Sequence, residues 1–339
     1  MTDTMRAWQA VAYGGTADCL QLRTLPRPMP GPSEVRIRVR AASLNPIDYK
    51  LLKGDLRALM SLRFPATLGF DASGIVDAVG AGATRFAVGD KVFFRASRDT
   101  LGAFAEFSVQ PEAFVALRPA NLDAIGAASL PLVALTTVQG LVDRAHARHG
   151  QRILIQAGSG GLGTFAIQYA KQLGLIVEAT TSSGNAEWVA ALGADRVIAY
   201  DRESTTASGP IYDIVLDSLG GQHTLAAFDV LKPGGVVVSV AGPPDREMAK
   251  KFARNPVVRL AMWAMARKVY AAAGKKHAGY FRYLTESSGA QLANIAGLVE
   301  LKRIRPVIDS VYEFEQALAA FDHLIAGRAK GKIVLKLAD

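Results

Sequence analysis

Hydrophobic and polar positions follow two different periods along the chain, and the change falls near Asp123. Upstream, residues 34–40 (EVRIRVR) alternate polar and apolar, the pattern of a strand buried on one face. Pro26, Pro28, Pro30 and Pro32 precede it and predict an extended or turning segment. Residues 74–94 predict two strands separated by glycine turns, and 102–109 predict another. Short strands, Gly/Pro turns and no helical period predict an all-β sandwich or barrel.

Downstream the pattern becomes alternating strand and helix. Residues 152–156 (RILIQ) are a short apolar run fit for a buried parallel strand, and 164–173 are rich in helix formers. Further strands are predicted at 175–181, 195–198, 212–217 and 236–241, the last after the Pro233-Gly234-Gly235 turn. Helices are predicted at 186–192 and from Gln222. Such alternation implies a doubly wound parallel sheet. Residues 243–280 interrupt it. Asn255 is placed to N-cap a helix with Pro256 at its first position and Gly274 at its end. Val258, Met262, Met265 and Val269 form its apolar stripe, with Arg259, Trp263 and Tyr270 on an adjacent face. A strand is expected at 280–285, a helix at 315–325 and a closing strand at 332–337. The expected fold class is therefore α/β, with residues 1–123 β-rich and 124–285 doubly wound.

Composition changes this picture in three places. The uncharged stretch 124–142 has the length of a membrane span, but Ser129, Pro131, Thr136, Thr137 and Gln139 interrupt it, so a buried helix is expected. The N-terminus has no apolar signal-peptide core and Cys19 is the single cysteine, which together suggest a cytoplasmic protein with no disulfide and no thiolate metal site. The net charge is +9. Residues 246–282 carry the whole of it: Arg246, Lys250, Lys251, Arg254, Arg259, Arg267, Lys268, Lys275, Lys276 and Arg282 stand against Glu247 alone. A charge confined to one segment argues for a local feature rather than a nucleic-acid-binding protein.

The candidate chemistry lies between strand and helix at 152–173. Gly158, Gly160 and Gly163 form G-x-G-x-x-G in the context that gives the motif meaning. Gly158 permits the turn, Gly160 lets the backbone approach a pyrophosphate, and Gly163 lets the helix pack on its strand. The N–H groups of Ser159, Gly160, Gly161, Leu162 and Gly163 lie where a helix N-terminus receives an anion.

With these motifs in place, the sequence resembles the medium-chain dehydrogenase/reductase superfamily, and within it the zinc-independent quinone and enone (alkenal) oxidoreductase branch. The markers are SLNPIDYK (43–50), LGFDASGIVDAVG (68–80), GDKVF (89–93), LPLVALTT (130–137), AGSGGLGTFAIQYAKQLG (157–174), LGADRVIAY (192–200), DSLGG (217–221) and GRAKGKIVL (327–335). The resemblance implies a GroES-like catalytic domain over residues 1–123 and 286–339, a Rossmann domain over 124–285, an active site in the cleft between them, and a homodimer joined through Rossmann edge strands. Where zinc members carry Gly-His-Glu, this chain has Gly69-Phe70-Asp71, and no cysteine follows Cys19. The four ligands that zinc needs are absent, and His146 and His149 fit a helix end better than a metal.

Cofactor choice depends on the tip of the second parallel strand, where NAD enzymes carry an acid for the ribose 2′-hydroxyl. Residues 181–185 (TSSGN) contain none, and Glu178 lies too early. The resemblance assigns a 2′-phosphate to Ser182, Ser183, Asn185 and Tyr200, beside the cofactor-binding strand tip at Thr181, and thus NADP(H). It also places Lys50 near the nicotinamide ribose, Asn45 in the cleft, Thr136 facing the nicotinamide, Leu219, Ala241 and Leu284 on apolar walls, and Arg328 with Lys332 as a basic pair near the cofactor. Tyr49 is a candidate proton donor. The expected reaction is NADPH-dependent, metal-free reduction of a small α,β-unsaturated carbonyl or quinone. A non-catalytic dinucleotide-binding protein of the same fold stays open beside it. Residues 243–280 are expected as a lid over the substrate, with Arg259 and Trp263 nearer the cleft or solvent. Two alternatives are a core helix with a solvated basic face and a helix lying on anionic lipid.

Overall fold

The computed structural model describes residues 3–57, 59–207, 209–252 and 255–337. Contacts divide the chain into two compact units, Met1–Leu135 with Glu286–Asp339, and Thr136–Thr285. Arg254 of the basic cluster lies outside the described residues.

The first unit opens with β1 (Thr4–Ala10), α1 (Thr16–Cys19), β2 (Leu20–Pro26) and β3 (Glu34–Leu44). The alternation read at 34–40 is borne out: Val35, Ile37 and Val39 are buried, while Arg38 between them is exposed. Besides the short α1, one helix departs from the all-β expectation, α2 (Pro46–Lys53). Its cause is local, because Asn45 and Asp48 form a reciprocal capping box and Pro46 stands in the first turn. Then come β4 (Ala66–Thr67), β5 (Asp71–Val79), β6 (Lys91–Arg95), β7 (Phe107–Pro111) and β8 (Val115–Leu117). The strand expected at 102–109 is reduced to β7. Leu101 and Gly102 both have positive φ, and Phe104 bonds instead to Trp8 and Leu68 across a loop. The uncharged stretch is broken at Ser129 into α3 (Ala124–Ala128), which packs on β3 and β5, and α4 (Pro131–Val138). No helix among the described residues is long and apolar enough to cross a membrane.

The second unit holds β9 (Arg152–Ile155), α5 (Gly161–Gln172), β10 (Ile176–Thr181), α6 (Ala186–Ala190), β11 (Arg196–Ala199), β12 (Tyr212–Asp217), α7 (Gln222–Ala226), β13 (Leu231–Ser239), α8 (Arg246–Phe252), α9 (Pro256–Lys275) and β14 (Gly279–Arg282). Its sheet is parallel throughout, in the order β11-β10-β9-β12-β13-β14. Ile153 on β9 stands between Val177 and Ile214, at the centre of the sheet. This is the doubly wound architecture.

Asn255 caps α9 as expected: its side chain accepts from the Val257 N–H, and Pro256 stands in the first turn. The helix runs through Gly274 to Lys275. Its inward stripe is Met262, Ala266, Val269 and Ala273, whereas Met265 is 65% exposed, a correction to the stripe read from sequence. The reason is packing: Val269 and Ala273 belong to the same buried cluster as Tyr212, Phe228 and Tyr280 in the core of this unit, and that packing fixes the helix rotation. Arg259 and Trp263 are exposed.

The chain then returns to the first unit with α10 (Gly289–Glu300), β15 (Ile308–Glu313), α11 (Ala317–Ile325) and β16 (Lys332–Lys336). β16 joins the large sheet of that unit, in the order β15-β16-β3-β5-β6-β8, with β7 also paired to β3. A second sheet has the order β2-β1-β4. β16 runs antiparallel to β3, pairing Ile333 with Leu44, so the C-terminal residues stand directly beside Asn45.

Candidate functional site

The dinucleotide motif folds as its residues require. β9 ends at Ile155, the chain turns through Ala157 at a φ of 53°, and α5 begins at Gly161 with Gly160 as its N-cap. No side chain caps that helix, so its first-turn N–H groups are left for an anion. A Cβ on Gly163 would lie 2.3 Å from the Ala157 carbonyl oxygen, which only glycine allows. The turn is tied to β10 by bonds from the Gly158 N–H to the Thr180 carbonyl (2.7 Å) and from the Ala157 N–H to Thr180 Oγ1 (3.1 Å). Ser159, Gly160, Gly161 and Leu162 are half-buried around this concavity. The backbone therefore fits a dinucleotide pyrophosphate.

Other expected residues follow the carboxyl ends of neighbouring strands, the place where open α/β sheets bind ligands. Thr181 ends β10, with Ser182, Ser183 and Asn185 in the turn after it; Tyr200 follows β11, Leu219 follows β12, Ala241 follows β13, and Leu284 follows β14. Thr181 is buried and its Oγ1 has no hydrogen-bond partner. Tyr200 is exposed, and its N–H donates to the Thr181 carbonyl at 3.0 Å. Glu178 belongs to the core: it accepts from Tyr212 Oη (2.7 Å) and Arg152 Nη1 (3.1 Å).

Two residues that the sequence reading passed over organise these ends. Asp217 is fully buried. Its Oδ1 accepts from the Leu219 and Gly220 N–H groups, and its Oδ2 from Thr224 Oγ1 and Ser239 Oγ. Ser239 Oγ in turn accepts from the Ala241 and Gly242 N–H groups. One carboxylate thus holds both turns that carry Leu219 and Ala241. The signal was present in DSLGG, whose aspartate ends a strand. The second residue is Asp201. Its carboxylate accepts from the Ser183 N–H (2.8 Å) and from Ser183 Oγ (2.7 Å). The tip read as acid-free is therefore bonded to an acid that follows the neighbouring strand. The Ser183 hydrogen bonds hold the Asp201 carboxyl below its usual range, so it is a carboxylate at neutral pH.

Thr136 is buried, with Oγ1 at 2.7 Å from Thr285 Oγ1, and its carbonyl accepts from Tyr283 Oη. Leu284 is half-buried between those two partners in sequence.

In the first unit, α2 carries Tyr49 and Lys50, both half-buried. Burial raises the Tyr49 hydroxyl, with Asp55 adding to the shift, and Lys53 Nζ lies 5.5 Å from the Tyr49 ring centroid. Asn45 differs from expectation. It is buried, and its amide is engaged inside the unit: Nδ2 donates to Asp71 Oδ2 (3.0 Å) and Oδ1 accepts from Lys332 Nζ. Lys332 is also buried. Its ammonium donates to the Leu44 carbonyl (3.1 Å) and stands 3.6 Å from Asp71 Oδ2. Arg328 is exposed, so the two do not form the expected basic pair. The reason is the β16–β3 register, which sets Lys332 beside Asn45 and Asp71.

Asp48 and Arg95 complete this buried group. Asp48 accepts from the Asn45 N–H at 2.8 Å, and burial pushes its carboxyl up to about 8. Arg95 stacks 4.9 Å from the Phe70 ring centroid and donates to Ser287, while burial brings it down to about 10. Burial also raises Asp71 and lowers Lys332, each opposed by the other's charge. Two acids and two bases thus share a buried interior. Among the described residues, no group of three His, Cys, Asp or Glu side chains is clustered to hold a metal ion.

The comparisons agree with this architecture. A family model described as alcohol dehydrogenase GroES-like domain matches residues 31–120, and one described as zinc-binding dehydrogenase matches 192–335. The chain is 33% identical to a chloroplastic quinone-oxidoreductase homolog of Spinacia oleracea, over 98% of each chain. It is 32% identical to an NADPH-dependent alkenal/one oxidoreductase, also chloroplastic, of Arabidopsis thaliana, covering 98% of this chain and 79% of that one. The structure of a quinone oxidoreductase from Coxiella burnetii superposes with a TM-score of 0.84 at 31% identity, covering 99% of this chain and 100% of that one. With its GroES-like and Rossmann elements and these relatives, the chain belongs to the medium-chain dehydrogenase/reductase superfamily and is an oxidoreductase of that type.

Proposed function

We propose that the protein reduces the C=C bond of small α,β-unsaturated carbonyls, or quinones, with NADPH and without a metal. The observation that carries the metal-free part is the Lys332 ammonium held against Asn45 and Asp71. Asp71 stands where zinc members place the glutamate of Gly-His-Glu, and a resident cation there opposes a second one. The uncapped N-terminus of α5 supports the dinucleotide, and the relative named as NADPH-dependent supports its 2′-phosphate. The relatives named for quinones and for NADPH-dependent alkenal/one reduction support the substrate class.

A bound nicotinamide supplies the hydride. The chain's own residues do the rest. The first turn of α5 holds the pyrophosphate. Asp217 fixes the turns of Leu219 and Ala241, which with Leu284 would present an apolar wall to the nicotinamide ring, with Thr136 facing it. Lys50 and Tyr49 are the donors we assign to the carbonyl oxygen, where negative charge grows as hydride arrives at the β-carbon. Asn45 and Lys332 act as positioning residues beneath α2. The single, unpaired Cys19 fits a reducing compartment, which we take to be the cytoplasm.

The test is steady-state NADPH oxidation with a 2-alkenal and a quinone after EDTA treatment, with metal analysis of the same sample. Undiminished turnover without stoichiometric zinc is expected. One zinc per chain, or activity lost to EDTA, overturns the metal-free reading. A protein that binds NADPH but turns over none of these substrates overturns the reductase.

A further inference from the structure

We infer that Asp201 governs the choice between NADPH and NADH by occupying the site that a 2′-phosphate would use. The inference rests on the dinucleotide reading above. Its basis is register. β10 and β11 are parallel with Thr181 paired to Ala199, and the ladder is extended by the Tyr200 N–H bond to the Thr181 carbonyl. Ser183 and Asp201 each lie two positions beyond that pair and so emerge side by side at the same end of the sheet. There the two donors of Ser183, its N–H and its hydroxyl, are both taken by the Asp201 carboxylate.

The Asn185 amide of the turn is also engaged. Asn185 Nδ2 donates to Ser182 Oγ at 3.1 Å, and Asn185 Oδ1 accepts from Trp188 Nε1 at 3.2 Å. At Ser183 the turn therefore offers a ligand a carboxylate in place of two donors. A ribose 2′-hydroxyl donates to a carboxylate, as the strand-end acid of NAD enzymes requires. A 2′-phosphate must displace Asp201 from Ser183 and then lie beside its charge. The acid-free end of β10 favours NADPH, and Asp201, borne just past the neighbouring strand, curbs that preference. The chemistry is that of an anion already seated in an anion site.

The experiment isolates the adenosine end of the cofactor. Dissociation constants for 2′,5′-ADP and for 5′-ADP are measured by calorimetry on the wild type, Asp201→Asn and Asp201→Ala. Asn keeps an acceptor for Ser183 and removes the charge. The expected result is about a tenfold or larger gain for 2′,5′-ADP in both variants, with 5′-ADP changed much less and the gain shrinking at high salt. Melting temperatures monitor folding, and the exposed turn is expected to tolerate both changes. If 5′-ADP binds and the ratio of the two constants does not move, Asp201 is not the selector and the dinucleotide reading stands. If the wild type and both variants bind neither ligand, the dinucleotide reading falls and this inference with it.

Discussion

Asp48 shows how much a single side chain here depends on its surroundings. It caps α2 through the Asn45 N–H, yet it lies in the interior, where burial pushes its carboxyl up to about 8. The unfolded chain ionises the same group near its ordinary value of about 4. Between those values the folded state holds more protons, so stability falls as pH rises through the window. Asp48→Asn keeps an acceptor for the cap and removes the titration. Urea midpoints measured from pH 5 to 9 are expected to fall more steeply for the wild type than for the variant. Parallel curves would contradict the buried protonated carboxyl. The burial of Asp48 was not legible from sequence. The motif SLNPIDYK marked Asn45, but the partner that fixes it, Lys332, lies 287 residues away. Likewise Asp201 is 18 residues from Ser183 and Ser239 is 22 from Asp217. Chemistry contained in one turn, as at Gly158 to Gly163, could be read directly; chemistry assembled by strand register could not.

At the scale of elements, the second unit was read almost strand for strand, because parallel strands buried on both faces leave continuous apolar runs. The 212–217 strand was placed with both of its ends, as Tyr212–Asp217. α2 was missed because it is short and its apolar positions make no long period; its capping box was the available signal. The rotation of α9 was misjudged for a different reason. Apolar residues occur all around its first half, and the structure leaves Val257, Leu260, Trp263 and Met265 exposed. The buried face is set by contact with the sheet core rather than by residue type. Val269→Ala should therefore cost about 2 kcal/mol of stability by emptying a packed position, while Trp263→Ala should change it by less than about 0.5 kcal/mol. Chemical denaturation of both variants checks this. A larger loss from Trp263→Ala would show that its exposed side is covered in solution. Kinetics of Trp263→Ala on bulky enones then decide the lid: unchanged KM and kcat on every substrate would leave α9 a core helix with a solvated basic face.

For the whole molecule, two units and a nearly full-length match to quinone and alkenal/one oxidoreductases place the chain in its superfamily. The six-stranded sheet ends at β14, whose outer edge is a strand edge of the kind that proteins cover by pairing. We propose that two copies join there, so light scattering at micromolar concentration should give twice the chain mass of 36.0 kDa. A monomeric mass would refute that pairing. The central claim concerns the reaction itself, and it is tested most directly by following the transferred atom. The protein is incubated with NADPH deuterated at the reactive C4 position and a 2-alkenal, and the product is analysed by mass spectrometry and NMR. The account predicts a saturated aldehyde carrying one deuterium at its β-carbon. Deuterium at the carbonyl carbon of an allylic alcohol, or no transfer from NADPH at all, would contradict it.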